Sequence, residues 1–474
     1  MIQNQSFRDS NILLITIDCL RGDHLGCYGY TKNTSPNLDA LASKGILFSQ
    51  AITAGGGTAE AFPAILFSAL PPLSHQEFGD GAKWNTSLGE ILKRNGCRTA
   101  GFHSNPYLSK LYHFDKGFDT FDDYLGERQS GMEAVRRKAI SLLGRSNFWS
   151  FHIIKFYNKL RDLTGSIKPP CATAEEINMK SLSWLRKGRG KFFLWLHYMD
   201  VHQPCLPPTE YLNQFCPYPV SKAKILNLTA KTRHKPRKVS TKELEILISV
   251  YDACIRYVDR MVGQLFSELR KLGLLENTII IVTADHGDEY GEHGFEHYGT
   301  YEAQIHIPLI LKIPGANECK VVPRQVSNLD LVPTICDLVG IKRGEPFRGK
   351  SLVPLIRGEE KEGHPVVFSV ALEKSPLYHD IYISCRTEEG WKYIYAIDYG
   401  EHGPEVSVEL YNLKIDPGEK KNLKDIEEER AQWMESKIIG YMDEIKRDRE
   451  KRKTMQQKML IKQKLKQLKD SKII

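Results

Sequence analysis

Four stretches of the chain are apolar almost without a break and are bounded by turn residues: ILLITI (12–17), FFLWLHY (192–198), TIIIVTA (278–284) and PLILKI (308–313). Runs of that length with no polar alternation read as strands buried on both faces, the pattern of central strands. Between them, SPNLDALASKG (35–45), TAEEINMKSLSWLRK (173–187), KELEILISVYDACIRYVDRMVGQLFSELRKLG (242–273) and LDLVPTICDLVG (329–340) carry helix-period segments, with polar residues at the entry or glycine near the end. Strands alternating with helices predict an α/β fold, a doubly wound and mostly parallel sheet. From residue 359 the pattern shortens to HPVVFSVAL, DIYISCRT, WKYIYAI and VSVELYNL, which predicts a small antiparallel β subdomain. The expected division is a main domain over 1–358 with a helical insertion at 126–170, a β subdomain over 359–425 and a helical tail over 426–474.

Composition changes this picture little. A chain of 474 residues with 41% hydrophobic and 26% charged positions can bury a large core, and no run approaches the roughly 18 apolar residues of a membrane span. Residues 1–18 show no basic segment followed by a long apolar one, so a cytoplasmic location is expected. Ten scattered cysteines without a CxxC pair read as reduced thiols. The net charge of +8 is concentrated at one end: residues 446–474 hold 12 Lys and Arg against 3 Asp and Glu, which leaves about −1 for everything before them. The basicity therefore gives no ground for nucleic-acid binding by the main domain. A contact of the tail with an anionic surface or partner stays open, beside the commoner solvated helix.

Chemistry gathers at the strand ends. In TADHGDEYGEHGFEHYG (283–299) a strand runs into Asp285 and His286, and the following loop supplies His293 and His297. Carboxylate beside imidazole is a plausible corner of a divalent-metal site; the bland alternative is a turn with a capping aspartate. A second strand, LLITID, also ends in a carboxylate, Asp18. In an open α/β sheet ligands bind beyond the carboxyl ends of the strands, so Asp18, Asp285 and His286 together make a three-ligand site with room for substrate.

In order along the chain, LITIDCLRGDHLGCYGYTKNTSPNLDALASKGILFSQA, LHYMDVHQP, IIVTADHGDEYGEHG, HIPLILKIPG, LDLVPTICDLVGI, FRGKSLVPLIRG and ELYNLKIDPGEKKNL resemble the sulfatase family of the alkaline phosphatase superfamily over residues 10–425. The resemblance implies an alkaline-phosphatase-like fold and a metal-dependent hydrolase of sulfate or phosphate esters, with one divalent cation and a small anionic ester as substrate. By position it implies Asp18, Asp285 and His286 as metal ligands, His202 as the histidine facing the leaving group, His297 where the family often has a lysine, and Asn105 near a residue that contacts the transferred group. His202 could equally flank a loop, and Asn105 before Pro106 is a natural turn residue.

The family's nucleophile segment corresponds to GGGTAEAFPAIL (55–66). Sulfatases proper carry there a Cys or Ser that is oxidised to formylglycine, within C/S-x-P/A-x-R. This chain has no cysteine between Cys27 and Cys97 and no matching arginine. Thr58 is the candidate nucleophile, unmodified and activated by the metal. An ungapped count back from LFSALPP instead lands on Ala59, so Thr58 needs one residue of slack, which the three glycines could supply. A turn with an N-cap is the structural alternative. Cys19 also departs from the pattern, standing where many relatives have a second aspartate. Three readings follow: cleavage of phosphate esters or diesters through Thr58, cleavage of sulfate esters, and a non-catalytic anion-binding relative. The chemistry favours the first, because a threonine sulfate lacks the elimination route that a formylglycine hydrate provides.

Overall fold

The computed structural model describes residues 7–74, 77–79, 85–125, 171–233, 239–295, 299–341, 347–373, 380–400 and 403–470. The expected insertion at 126–170 and His297 both lie outside the described residues.

Eight strands form the main sheet: β1 (Asn11–Ile17), β2 (Ile46–Ile52), β3 (Arg98–Phe102), β4 (Thr120–Asp122), β5 (Phe192–Tyr198), β6 (Thr278–Ala284), β7 (His306–Lys312) and β8 (Lys320–Ser327), in the order β4-β3-β5-β1-β6-β7-β2-β8. All seven residues of β1, of β5 and of β6 are buried, as their unbroken apolar sequences require of strands covered on both faces. The sheet is parallel except for β7, which runs antiparallel to both β6 and β2. PLILKI is thus a sheet strand as expected, but a reversed one.

Helices cover the sheet. Among them are α1 (Thr58–Phe67), α2 (Ala174–Lys187), α3 (Thr241–Lys271) and α4 (Leu331–Leu338). Capping boxes start two of them, Thr173 with Glu176 for α2 and Ser240 with Glu243 for α3, satisfying backbone N–H groups that have no partner inside a helix. Along α3, Leu247, Val250, Cys254, Val258, Met261, Leu265 and Leu269 recur at three- and four-residue spacing and are buried. Each such side chain contributes about 1.5–3 kcal/mol by leaving water. Gly273 at φ 69° follows the end of α3, a backbone conformation that glycine takes without strain.

A second sheet is an antiparallel meander of β9 (Val366–Leu372), β10 (Ile381–Thr387), β11 (Trp391–Gly400) and β12 (Gly403–Asn412). The long helix α5 (Glu428–Asp470) lies on it through Met434, Ile438, Tyr441 and Ile445, with the Tyr441 ring stacked on Phe368 at 4.2 Å. The two sheets meet at the glycine turn: Gly56 N–H donates to Val370 O at 2.9 Å, and Val370 N–H donates to Ala54 O at 2.9 Å. The ten cysteines are all free thiols, most of them buried. Among the described residues no helix is long and apolar enough to cross a membrane.

Candidate active site

Strand register assembles the site. Ile17 lies opposite Ala284 in the β1–β6 pair, and Thr16 lies opposite His197 in the β1–β5 pair. The next residue out on each of β1 and β6 is an aspartate, so Asp18 and Asp285 leave the sheet side by side. Asp18 is held further by its N–H, which donates to Tyr198 O at 2.9 Å. His286 follows immediately. Its Nδ1 lies 2.7 Å from Gly287 O, which makes Nδ1 the protonated nitrogen and presents Nε2 to the carboxylates. Nε2 sits 3.8 Å from Asp18 Oδ1 and 3.7 Å from Asp285 Oδ2. The three expected ligands are therefore in one place, and all three are buried.

Thr58 joins them at the strand ends. It is the first residue of α1, with Gly57 extended as the cap. Its hydroxyl donates to Asp285 Oδ2 at 2.9 Å and lies 3.4 Å from Asp18 Oδ2. The glycines before it work by close approach and not by unusual dihedrals. A Cβ on Gly56 would stand 1.9 Å from Gly299 O, and one on Gly55 2.3 Å from Ala61 N. Ala59, where the ungapped count lands, has no hydroxyl to offer; the structure turns Thr58 inward instead. As in any α-helix, the first N–H groups of α1 have no intrahelical acceptor, and they open toward an anion.

Asn105 belongs to the same cluster. Its amide donates to Asp18 Oδ2 at 3.0 Å and reaches Thr58 Oγ1 at 3.4 Å, while its own Oδ1 accepts from Tyr107 N–H at 3.0 Å. His202 sits in the loop after β5, half-buried, its N–H bonded to Met199 O at 3.0 Å. It is close enough for its charge to act on Asp18. Burial pushes the Asp18 carboxyl up, but the charge of His202 and the hydrogen bond from His197 outweigh this, so Asp18 ends well below the ordinary range. Asp285 moves the opposite way, raised by burial and by the neighbouring charge of Asp18. His293, by contrast, is tied elsewhere: Nδ1 lies 2.8 Å from Glu289 Oε1, Nε2 lies 3.0 Å from Glu419 O, and the ring stacks on Tyr301.

Two buried groups went unread in the sequence. His197, in the middle of an apolar strand, has Nε2 3.2 Å from Asp18 Oδ2 and Nδ1 3.0 Å from Thr16 Oγ1. Trp195 Nε1 donates to that same Thr16 oxygen at 3.1 Å. With the Thr16 proton directed to Nδ1, Nε2–H is the donor to Asp18. Glu60, two residues past Thr58, is 1% exposed, its Oε2 has no hydrogen-bond partner among the described residues, and burial pushes its carboxyl up to about 8. The available signal was the same for both, one ionisable residue inside an otherwise apolar segment.

The donor set suits a divalent cation. Two buried carboxylates side by side are tolerated only with compensating positive charge, and among the described residues no Lys or Arg pairs with either. Asp18, His197 and Asp285 bring one donor atom each within 4.8 Å of one another, as do Asp18, Cys19 and His286.

The comparisons with known proteins give the family. The Sulfatase family model matches residues 10–341. The chain belongs to the sulfatase family. A second model, N-sulphoglucosamine sulphohydrolase, C-terminal, matches residues 291–448. The chain is 25% identical to an arylsulfatase of Clostridium perfringens over 91% of its length and 94% of that protein, and 27% identical to a choline-sulfatase of Rhizobium meliloti over 87% and 82%. In fold it is similar to the phosphonate monoester hydrolase of Agrobacterium radiobacter, with a TM-score of 0.66 at 20% identity, covering 92% of this chain and 96% of that one. The sulfatase family is one of ester hydrolases, and its alkaline-phosphatase-like fold is the one described here.

Proposed function

We propose that this sulfatase-family chain hydrolyses phosphate esters or diesters through Thr58, with a divalent cation held by Asp18, Asp285 and His286. The observation that carries the reading is the Thr58 hydroxyl itself, placed at a helix N-terminus with its proton directed to Asp285 at 2.9 Å. A bound cation supplies Lewis-acid charge that neutralises the ester oxygens and eases deprotonation of a hydroxyl beside it.

The chain's own groups account for the remaining work. Asp285 receives the proton of Thr58 as the oxygen attacks phosphorus. Asn105 fixes the attacking oxygen, and His197 holds Asp18 in register. The first-turn N–H groups of α1 receive the non-bridging oxygens of the anion. His202 lines a cavity of 220 Å³ with Met199, Leu206, Lys222 and Tyr257. We place the leaving group there, with His202 protonating its oxygen. His297 is proposed to contact the ester from the loop after β6. In the second half-reaction water attacks the phosphothreonine and gives its proton to His202, the P–O bond to Thr58 breaks, Asp285 returns its proton to the Thr58 oxygen, and phosphate, or a monoester from a diester, leaves. The basic tail is proposed as dispensable for turnover.

Sulfate-ester hydrolysis is the second reading, and the names of the curated relatives favour it. Against it stands the nucleophile: threonine cannot become formylglycine, and a threonine sulfate has no hydrate through which to eliminate sulfate. The deciding experiment assays wild type and Thr58→Ala on aryl phosphate, phosphodiester, phosphonate monoester and sulfate ester, with mass spectrometry of quenched wild type for a phosphorylated peptide containing Thr58. We expect phosphorus substrates to turn over faster and the variant to be inactive. Faster sulfate turnover would overturn the preference, and an active Thr58→Ala would remove Thr58 from the mechanism.

A further inference from the structure

The loop that carries His202 is fastened by side chains. His202 stands four residues past the end of β5 with its N–H on Met199 O, and the chain then runs through Pro204, Pro207 and Pro208, which have no N–H to donate, into a helix at Thr209–Phe215. Cys205 Sγ donates to Val201 O at 2.9 Å and closes the turn on itself. Gln203, the next residue after His202, is 7% exposed and reaches out of the loop: its Nε2 donates to Asp288 Oδ2 at 3.1 Å. Asp288 is 1% exposed and lies two residues past His286, on the segment that bears two of the three expected metal ligands. That segment is held in turn, because Asp288 Oδ1 accepts from Glu289 N–H at 3.1 Å and Asp288 O accepts from Arg21 Nη1 at 3.1 Å. Asp288 belongs to neither group of donor atoms gathered at the strand ends.

On the reading that His202 protonates the departing oxygen, we propose that Gln203 and Asp288 are a positioning pair: their bond ties the His202 loop to the segment of Asp285 and His286 and so sets the imidazole at the leaving-group oxygen. Neither side chain touches the reacting atoms in this role. A carboxylate acceptor makes the stronger kind of hydrogen bond, and burial removes the water that would compete for it. The need for such a tie is geometric, since a shift of about 1 Å in a catalytic group can lower a rate by roughly 10²-fold. Through Gln203 the acid and the metal-ligand segment move as one unit.

The test is a double-mutant cycle on the full-length, metal-loaded protein, with a series of aryl phosphates of rising leaving-group basicity. Gln203→Met keeps the length of the side chain and loses the donor. Its kcat/KM should fall about tenfold for the poorest leaving groups and hardly at all for the best, the pattern expected of His202→Ala, with metal content and thermal midpoint at wild-type levels. In a His202→Ala background the same change should lower kcat/KM by less than about twofold, because no imidazole is left to place. Asp288→Asn, which keeps an oxygen to accept from the amide, should recover most of the turnover that Asp288→Ala loses. No loss in Gln203→Met, a tenfold loss in both backgrounds, a loss equal across the series, or an Asp288→Asn as impaired as Asp288→Ala would each overturn the proposal and leave His202 as the acid. If His202→Ala itself leaves the dependence on leaving group unchanged, the acid assignment fails and the pair's role fails with it. If aryl sulfates turn over and phosphates do not, the phosphate preference is lost and the same cycle on sulfates of the same phenols decides the pair. Should Gln203→Met not fold, Gln203→Asn, one methylene too short to reach Asp288, is judged by the same criteria.

Discussion

Two sets of carboxylates in the molecule, one buried at the strand ends and one largely buried where the sheets meet, are treated in opposite ways. Where the sheets meet, Glu302 and Glu419 are matched by cations from the chain: Lys392, itself 0% exposed, lies 2.7 Å from Glu419 Oε1 and 3.3 Å from Glu302 Oε1, and Arg386 Nε lies 3.2 Å from Glu302 Oε1. At the strand ends, Asp18 and Asp285 have histidines, a threonine, an asparagine and a thiol around them, but no Lys or Arg pairs with either among the described residues. A buried carboxylate whose counter-ion is part of the chain stabilises the fold. One that has only histidines and neutral donors around it is where the proposed cation would bind, and Asp285, raised by burial and by the charge of Asp18, is the side chain that carries the strain.

The largest expected effect breaks the strand-end cluster at its reacting atom. Thr58→Ala removes the proposed nucleophile while leaving both carboxylates and His286 in place. Turnover on the best substrate should fall by at least about 10³-fold, as loss of a covalent catalytic group does. Metal content by elemental analysis and thermal midpoint should stay at wild-type levels. Lost metal would mean that Thr58 acts by organising the ligands and not by attack.

The contrast sharpens when one carboxylate is removed from each region. Asp285→Asn should abolish metal binding yet leave the metal-free protein as stable as wild type or more so, because it relieves a like-charge pair. Glu302→Gln should do the reverse: full metal binding, and a loss of about 3 kcal/mol in urea unfolding, because Arg386 loses its carboxylate partner and Lys392 keeps only Glu419. Burial pushes the Glu302 carboxyl up, but the charges of Arg386 and Lys392 prevail and hold it down to about 2. A depressed carboxylate lends its stability above its ordinary value near 4.5, and that stability fades as pH falls toward 2. The gap between wild type and Glu302→Gln should therefore be widest at neutral pH and close on acidification. A gap that widens in acid would contradict the assignment of Glu302 as an ionised partner.

Sequence alone carried some of this contrast. Asp18 and Asp285 were legible because each ends an unbroken apolar run, and strand ends are where an open sheet binds ligands. Their closeness was expected from the shared sheet end, but the pairing that produces it was not legible, since it depends on β1 lying beside β6 and on the register that sets Ile17 against Ala284. PLILKI read as a strand but gave no hint of its direction, which pairing partners decide. Thr58 and Ala59 could not be separated by counting; the hydrogen bond from the Thr58 hydroxyl to Asp285 separates them. His197 was hidden by its own strand, since one imidazole among aromatics reads as a loop flank until Thr16 and Asp18 appear on either side of it. The Glu302–Lys392–Glu419 network joins residues over a hundred positions apart, and nothing local announces it.

His202 marks the outer edge of the strand-end cluster, and a smaller effect is expected there. It supplies no ligand atom to the metal, so His202→Ala should keep metal content unchanged while turnover drops by roughly 10²-fold. The loss should be greatest for esters with poor leaving groups, which depend most on protonation of the departing oxygen. Equal losses across a series of aryl leaving groups, measured as kcat/KM against leaving-group basicity, would show that His202 shapes the cavity and does not deliver a proton.

The smallest expected effect lies at the far end of the second region, where α5 runs beyond its last buried anchor. Met434, Ile438, Tyr441 and Ile445 fix the helix on β9–β12, and all four precede Lys446. What a truncation before Lys446 removes from the described contacts is mainly two ion pairs, half-buried Asp448 with Arg348 and Arg449 with the buried Glu77. The arginines of both pairs stay open to water, so each pair contributes about 1 kcal/mol. The truncated protein should therefore unfold within about 2 °C of wild type, bind metal and turn over substrate at the full rate. The charge removed is large, +9, yet it lies outside both sets of buried carboxylates, so it should leave each set's charge balance untouched. A truncate that folds but has lost activity would show that the tail reaches the substrate. One that loses several kcal/mol would show that the second region's hold on α5 extends past Ile445.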